Sequence, residues 1–135
     1  MDLFIWDKKF ELGIASIDLQ HKKLVELVNK LYEAMQSGKG ITVLGEILKE
    51  LADYTVYHFG HEEKIFQSTL YPQASTHALE HKALTDKVAG YVTTFQKSGV
   101  GLSIEVLNFL SDWIKKHIQE TDRAYVAHFK DKGIN

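Results

Sequence analysis

Apolar side chains recur along this chain at alternating steps of three and four residues. In the first such segment the pattern runs through Leu24, Val28, Leu31 and Met35, and three later segments repeat it, with positions that include Ile65, Phe95 and Trp113. This spacing gives each helix an apolar stripe that packs against its neighbours at a shallow angle. The pattern therefore predicts an all-α fold built from four amphipathic helices.

Short polar or glycine-containing stretches separate the four segments. They fall at residues 37–40, at Tyr71-Pro72 and at residues 97–101. Connections this short join helices that run in opposite directions. We expect an antiparallel up-down-up-down four-helix bundle.

The residues before the first segment form a separate feature. We expect an N-terminal arm over about residues 1–17 and the bundle over about residues 18–128, within a single domain that spans residues 1–135. Large apolar residues at the start of the arm are expected to pack on the outside of the bundle or to cover one end: Phe4, Ile5 and Trp6.

Composition narrows the class of protein. Apolar residues make up 44% of the chain and charged residues 25%, with a net charge of −2, which is the balance of an ordinary globular domain. The basic residues are dispersed, so the sequence predicts no nucleic-acid partner. It contains no cysteine, no basic leader followed by an apolar run, and no apolar stretch long enough for a membrane span. We therefore expect a cytoplasmic protein.

Six polar residues of metal-ligand type interrupt the apolar stripes where leucine would be expected. Burying six such groups without strong partners would cost several kcal/mol in total. The antiparallel arrangement brings all six to the same end of the bundle, where a metal would supply the missing partners. They are His21, His58, Glu62, His77, His81 and His117.

The kind of metal site follows from the number and type of these side chains. The stretch HALEH, residues 77–81, matches the inverted zinc-peptidase pattern. However, Glu80 lies about 100° around the helix from His81, and five imidazoles exceed the needs of one tetrahedral zinc. Imidazoles with carboxylates and no sulfur, inside a helical bundle, favour a pair of iron or manganese ions.

The order of these residues along the chain resembles the hemerythrin family, in its bacterial branch. A lone histidine is followed by H-x-x-x-E, H-x-x-x-H and H-x-x-x-x-D, the last being His117 and Asp122. The surrounding stretches IDLQHKKLVELVNKLY and HFGHEE, an early Trp6 and Trp113 one turn before His117 are similar as well. The resemblance covers nearly the whole chain.

The resemblance implies a site with two iron ions and an oxo or hydroxo bridge. One iron would be held by three histidines and the other by two, which leaves the second iron an open position for O2. Two carboxylates would bridge the pair. The implied ligands are His77, His81 and His117 for the first iron, His21 and His58 for the second, and Glu62 and Asp122 as bridges. Neighbouring apolar residues are candidates for the O2 pocket or, equally, for plain core packing: Phe59, Trp113, Ile114 and Ile118.

The resemblance further implies a non-enzymatic protein that binds O2 reversibly as a carrier, store or supplier, with a separate protein receiving the O2. Two other functions stay open, and a third is weaker. A di-iron enzyme acting on peroxide, nitric oxide or another small substrate is one, and an O2-sensing domain working with a separate partner is another. A haem bundle needs only two axial ligands and leaves three core histidines unexplained.

Several polar residues beside the cluster need separate assignments. His61 and Glu63 fall on the flank of their helix, and we expect His128 to be exposed and Glu80 to be solvated. Asp122 lies five residues after His117, about 140° around a regular helix. Geometry alone does not choose between Asp122 and Glu120, whereas the family pattern selects Asp122. We expect either a π-type widening within residues 116–123 or a regular helix from whose flank Asp122 reaches the metals.

Overall fold

Four long helices make up most of the molecule. The computed structural model describes residues 4–99 and 101–135, and no β-strand occurs within these ranges. The long helices are α1 (Ala15–Gln36), α2 (Gly40–Thr69), α3 (Ala74–Lys97) and α4 (Leu102–Lys116). Shorter elements are a 3-10 turn at Lys8–Phe10, a π-helix at His117–Asp122, a 3-10 turn at Arg123–Tyr125 and α5 at Val126–Asp131. In the described part of the chain, no helix is both long and apolar enough to cross a membrane.

The helices pack as an antiparallel four-helix bundle, which confirms the predicted fold class. Helix α1 packs against α2 and α4, and α2 packs against α3. Because the connections are short, neighbouring helices alternate in direction. The start of α1, the end of α2, the start of α3 and the end of α4 therefore lie at one end of the bundle.

The apolar stripes predicted from the sequence form most of the core, but four of their positions are half-buried: Met35, Ile65, Phe95 and Trp113. Near the end of α2 the fully buried residue is Phe66, whereas Ile65 is half-buried. A straight helix has 3.6 residues per turn, so a strict alternation of threes and fours drifts off the core by the last turns of a long helix. Met35, in the last turn of α1, is half-buried for the same positional reason.

The helix ends use left-handed backbone positions. Leu70 ends α2 with φ 55° and ψ 47°, and its side chain is 84% exposed. The following residue, Tyr71, donates its N–H to the Phe66 carbonyl at 3.0 Å, which satisfies one of the free carbonyls at the helix terminus. Gly101 precedes α4 with φ 75°, where the lack of a Cβ removes the strain. Residue 100, part of the predicted connection, lies outside the described residues.

The N-terminal arm packs on α1 more closely than the sequence predicts, and α1 begins at Ala15 rather than near residue 18. Phe4 is 1% exposed. Its backbone N–H donates to Asn29 Oδ1 at 2.9 Å, and its carbonyl accepts from Asn29 Nδ2 at 2.8 Å. The rings of Phe4 and Trp6 both lie against Phe10. The expectation for Ile5 was wrong, because this side chain is 72% exposed and points away from the core.

Candidate metal centre

Seven ligand-type side chains from all four helical segments meet at one end of the bundle. We call them the histidine–carboxylate cluster. None is more than 4% exposed, so the cluster is sealed from solvent as thoroughly as the apolar core. Its members are His21, His58, Glu62, His77, His81, His117 and Asp122.

A π-helix brings the last two members together. The α-helical bonding of α4 ends at Lys116, and a π-helix follows over His117–Asp122. In a π-helix residues five apart come into line, and Asp122 Oδ1 lies 2.9 Å from His117 Nε2. The predicted irregularity is therefore confirmed, and the alternative of a regular helix was wrong. Glu120, the other candidate, is exposed.

The cluster divides into two overlapping groups that share both carboxylates. The three-histidine group consists of His77, His81 and His117 with the two carboxylates, and the two-histidine group consists of His21 and His58 with the same carboxylates. Within each group, the potential ligand atoms all lie within 4.8 Å of one another. The arrangement therefore offers two adjacent cation positions with common carboxylate ligands.

Each carboxylate reaches histidines of both groups. Asp122 Oδ1 lies 2.8 Å from His77 Nε2, while Asp122 Oδ2 lies 2.8 Å from His21 Nε2. Glu62 Oε1 lies 3.0 Å from His58 Nε2 and 3.5 Å from His81 Nε2. Both carboxylates thus lie between the groups, where a bridging ligand would be needed.

The close contacts in the cluster join imidazole nitrogens and carboxylate oxygens at ion-pair distances but without hydrogen-bond geometry. The five imidazole Nε2 atoms and all four carboxylate oxygens are buried and have no hydrogen-bond partner, although several pairs approach to 2.8–3.0 Å. In neutral His58 and His81 the hydrogen is on Nδ1, which faces an oxygen, so the Nε2 lone pair faces the carboxylate lone pairs. So many unpaired buried polar atoms are costly in a folded protein, and cations between them would satisfy all of them. A set of nitrogen and oxygen donors with no sulfur fits iron.

The electrostatics of the cluster keep both carboxylates ionised. Burial raises the pKa of Glu62, and so does the neighbouring Asp122 charge, but the charge and contacts of His58 and His81 outweigh them and lower it below its usual range. Burial also raises the pKa of Asp122, and the contacts with His117, His21 and His77 lower it well below its usual value. Deprotonated carboxylates are the form that a metal cation requires.

Two side chains outside the cluster hold the far nitrogens of its imidazoles. Gln20 Oε1 lies 2.7 Å from His58 Nδ1, and Glu63 Oε2 lies 3.0 Å from His81 Nδ1. Sequence reasoning missed both roles, because it searched the core-facing stripe for ligands and assigned Glu63 to the flank. An acceptor side chain next to a predicted ligand, on the side that faces a neighbouring helix, is the signal that could have identified them.

Aromatic rings enclose the imidazoles of the three-histidine group. Phe59 stacks on His81 with ring centroids 3.8 Å apart, and Trp113 stacks on His117 at 4.2 Å. Phe66, which the sequence analysis did not single out, meets His77 edge-on at 4.8 Å. The four predicted pocket residues are buried except for the half-buried Trp113, and their role toward O2 stays a prediction: Phe59, Trp113, Ile114 and Ile118.

Tyr125 is a further buried polar residue beside the cluster that the sequence analysis missed. Its side chain is fully buried, and its ring lies 5.5 Å from that of His77. Burial, followed by the charges of Asp122 and Glu62, raises the pKa of the Tyr125 hydroxyl well above its usual value. The hydroxyl therefore stays protonated next to the carboxylates.

The two remaining histidines lie outside the cluster. His61 Nε2 pairs with Ser16 Oγ at 3.0 Å, on the flank of α2 as predicted. His128 was expected to be exposed, but it is half-buried and its Nε2 lies 2.8 Å from the Thr69 carbonyl. The end of the chain folds back over the end of α2, and this contact follows from it. Glu80 is solvent-exposed, as predicted.

Comparison with known proteins agrees with this geometry. Fold and cluster together define a metal-binding four-helix bundle, and the family model described as Hemerythrin HHE cation binding domain matches residues 12–129. The chain is 35% identical over 130 residues to a bacteriohemerythrin of Stenotrophomonas maltophilia, covering 96% of this chain and 84% of that protein. It is 36% identical over 128 residues to a bacteriohemerythrin of Clostridium acetobutylicum, covering 92% and 99%.

Solved structures show the same likeness in three dimensions. A crystal structure of wild-type hemerythrin superimposes with a TM-score of 0.84 at 29% identity, covering 93% of this chain and 96% of that one. The chain belongs to the hemerythrin family, and the resemblance read from the sequence is confirmed.

Proposed function

We propose that this protein binds O2 reversibly at a non-haem di-iron centre and acts as an O2 carrier, store or supplier without turning over a substrate. In this proposal two iron ions share an oxo or hydroxo bridge. The proposed ligands are the seven cluster residues: His77, His81 and His117 at one iron, His21 and His58 at the other, and Glu62 and Asp122 between them.

The observation that carries the proposal is the sharing of both carboxylates by two unequal groups. Counting one atom from each side chain, the three-histidine group offers five ligands and the two-histidine group offers four. The lower number supports an open coordination position at the two-histidine iron, where O2 would bind. When bound, a pair of irons can supply two electrons together, so that O2 uptake avoids a one-electron product.

The chain's own residues prepare this site in three ways. Burial of all seven ligands excludes bulk water from the metals. Phe59 stacks on the His81 ring and adds apolar bulk beside the ligands, and in this proposal the buried Ile114 and Ile118 extend that apolar wall. The neutral Tyr125 hydroxyl adds no charge to a centre that already contains two carboxylates.

Binding is favoured over enzymatic turnover by the makeup of the ligand set. Five neutral imidazoles and two carboxylates surround the metal positions, whereas oxidases of the ferritin-like class use a carboxylate-rich set with two E-x-x-H motifs. A protein that only binds O2 must pass it on, and we propose a separate protein as the recipient.

Visible absorption of the iron-loaded protein tests the proposal. The protein is reduced without oxygen, exposed to O2 and then deoxygenated again. We expect a charge-transfer band that develops with O2 and is lost on its removal over repeated cycles, while zinc-loaded protein serves as the colourless control. No band in iron-loaded protein, or a band lost irreversibly in the first cycle, would contradict reversible binding.

A further inference from the structure

In each group, the Nδ1 atom of one imidazole contacts a side-chain oxygen from outside the cluster. One of these oxygens is charged and the other is neutral. His81, in the three-histidine group, faces the Glu63 carboxylate at 3.0 Å. His58, in the two-histidine group, faces the neutral Gln20 amide oxygen at 2.7 Å. Among the described residues, these are the two side-chain hydrogen bonds to cluster imidazoles, so they are the polar difference between the groups outside the ligand set.

Both contacts set the tautomer of the imidazole. An oxygen acceptor at Nδ1 requires the hydrogen on that nitrogen, which leaves the lone pair on Nε2. In His58 and His81, Nε2 is the buried atom that faces the cluster. Each contact therefore fixes the ring in the orientation that a metal ligand needs.

The two contacts differ in how much they increase the donor strength of the imidazole Nε2 atom. A carboxylate that accepts a hydrogen bond from imidazole makes the ring a stronger donor to a metal, and it adds a negative charge one ring away. A neutral amide fixes the ring with little effect on its basicity. Glu63 has a side chain that is 40% exposed, so solvent weakens its charge without removing the direct contact.

We propose that Glu63 and Gln20 are positioning residues that widen the difference between the two metal positions beyond what the number of ligands sets. Through His81, Glu63 strengthens the three-histidine position and favours its more oxidised, more positively charged ion. Through His58, Gln20 orients its ligand but leaves the two-histidine position the weaker of the two. The first ion to bind enters the three-histidine position, and the potential of the pair depends on Glu63. This inference rests on the proposed di-iron function.

Charge-changing variants at the two positions separate orientation from donor strength. Glu63→Gln keeps an oxygen acceptor but removes the charge, and Gln20→Glu keeps the acceptor and adds a charge. Stepwise Fe²⁺ affinities come from anaerobic titration against a competing chelator, and the midpoint potential comes from spectroelectrochemistry. The cluster ligands are unchanged in every variant.

We expect Glu63→Gln to weaken the tighter Fe²⁺ step by about 10-fold, at the lower end of what loss of an outer partner of a metal ligand costs. It should also shift the midpoint potential in the positive direction. Gln20→Glu should strengthen the weaker step and shift the potential in the negative direction. Combining the two substitutions should narrow the gap between the steps or reverse their order.

Glu80→Gln is the matched control. It makes the same change of charge on α3, directly before His81 in the chain, at an exposed side chain with no hydrogen bond to a ligand histidine among the described contacts. We expect it to leave both Fe²⁺ affinities within about 2-fold of the wild type, since exposed charges are strongly screened. Gln20→Met, which removes the acceptor and keeps the shape, should weaken the step that Gln20→Glu strengthens.

The outcomes distinguish this inference from the proposed function. If Glu63→Gln and Glu80→Gln shift affinity and potential equally, only the overall charge matters and the inference is wrong. If Gln20→Glu and Gln20→Met move the weaker step in the same direction, a folding defect explains both and the inference is also wrong. Failure of the wild-type protein to bind two Fe²⁺ would instead overturn the proposed function on which the inference rests.

Discussion

At one end of the bundle, Leu44, Leu48 and Val106 fill the space between the helices with carbon alone, and each is at most 1% exposed. At the other end, the core positions of α2 and of the π-helix that continues α4 contain His58, Glu62 and His117, none more than 4% exposed. The two ends share deep burial, and they differ in the chemistry of the buried atoms. We call the first the apolar end, and the second contains the histidine–carboxylate cluster.

This difference predicts two sources of stability. Burial of apolar surface stabilises the apolar end whatever is bound to the protein. The cluster stabilises the fold only when cations pair its buried nitrogens and oxygens, because without them those atoms have no hydrogen-bond partners. The apolar end should therefore hold the helices together, and the cluster should make part of the stability conditional on metal.

Removing one ligand should have the largest effect. His77→Ala deletes an Nε2 atom that lies 2.8 Å from Asp122 Oδ1, so both the imidazole and the position of the shared carboxylate are lost. We expect purified His77→Ala to contain close to no iron. Elemental analysis of protein from iron-replete cells measures this.

His61→Ala and His128→Ala are the matched controls, because both remove an imidazole that lies outside the cluster. They should keep the iron content of the wild type. Iron loss in His61→Ala would show that the set of metal ligands proposed here is wrong.

Stripping the metal should have the next largest effect. A ligand that binds only the folded state at about 100 times its dissociation constant adds about 2.7 kcal/mol to the free energy of unfolding, or roughly 10 °C in melting temperature for a chain of this size. We expect metal-free protein to melt at least that much lower by calorimetry. Equal melting temperatures with and without iron would mean that the cluster is stable by itself.

Creating a small cavity at the apolar end should lower the free energy of unfolding by a smaller amount, and by the same amount with and without metal. Ile47 is fully buried at the start of α2, and Ile47→Val should lower the free energy of unfolding by about 0.5–1.5 kcal/mol. The loss should be the same with and without iron, and the iron content should not change. A loss confined to one form would show that the two ends are energetically coupled.

pH should produce the smallest effect, with opposite signs in the two forms. Burial lowers the pKa of His81, but contacts with Glu62 and then Glu63 raise it above its usual 6.5. A raised histidine pKa gives stability that is fully present below pH 6.5 and is lost as pH rises through the folded value. Metal-free protein should therefore melt higher near pH 6 than near pH 8.5, whereas protons competing for the imidazoles should destabilise the iron form in acid.

The variant His61→Ala sharpens this pH test. Burial lowers the pKa of His61, so this residue opposes the acid stabilisation of the metal-free protein. Its removal should steepen the rise in melting temperature toward pH 6. The acid stabilisation of the metal-free protein ends at low pH. The stability that comes from the lowered pKa of Asp122 is lost as pH falls below the usual value of 3.8. A flat profile in both proteins would contradict the assigned contacts of His81.

Much of the fold and of the cluster could be predicted because the helical period ties sequence spacing to position. His58 and Glu62 could be assigned to the core from their places in an alternation of threes and fours. The H-x-x-x-x-D spacing of His117 and Asp122 conflicts with a regular helix, and that conflict predicts the π-helix that the structure contains. The choice of Asp122 over Glu120 required the family pattern.

The remaining features depend on three-dimensional contacts that a helical pattern does not encode. The pairing of Gln20 with His58 joins residues 38 apart in the chain and is set by how α1 and α2 rotate against each other. Phe66 is buried where the pattern predicted Ile65, because the predicted stripe drifts around the helix axis over the 30 residues of α2. The burial of Phe4 depends on Asn29, which nothing in the local sequence marks as a partner of the arm.

The number of iron ions per chain tests the central claim most directly, because the claim is that one end of an ordinary bundle is built around a pair of cations. Protein purified after iron-replete expression should contain two irons per chain by elemental analysis against amino-acid quantification. One zinc per chain, or no iron at all, would contradict the account.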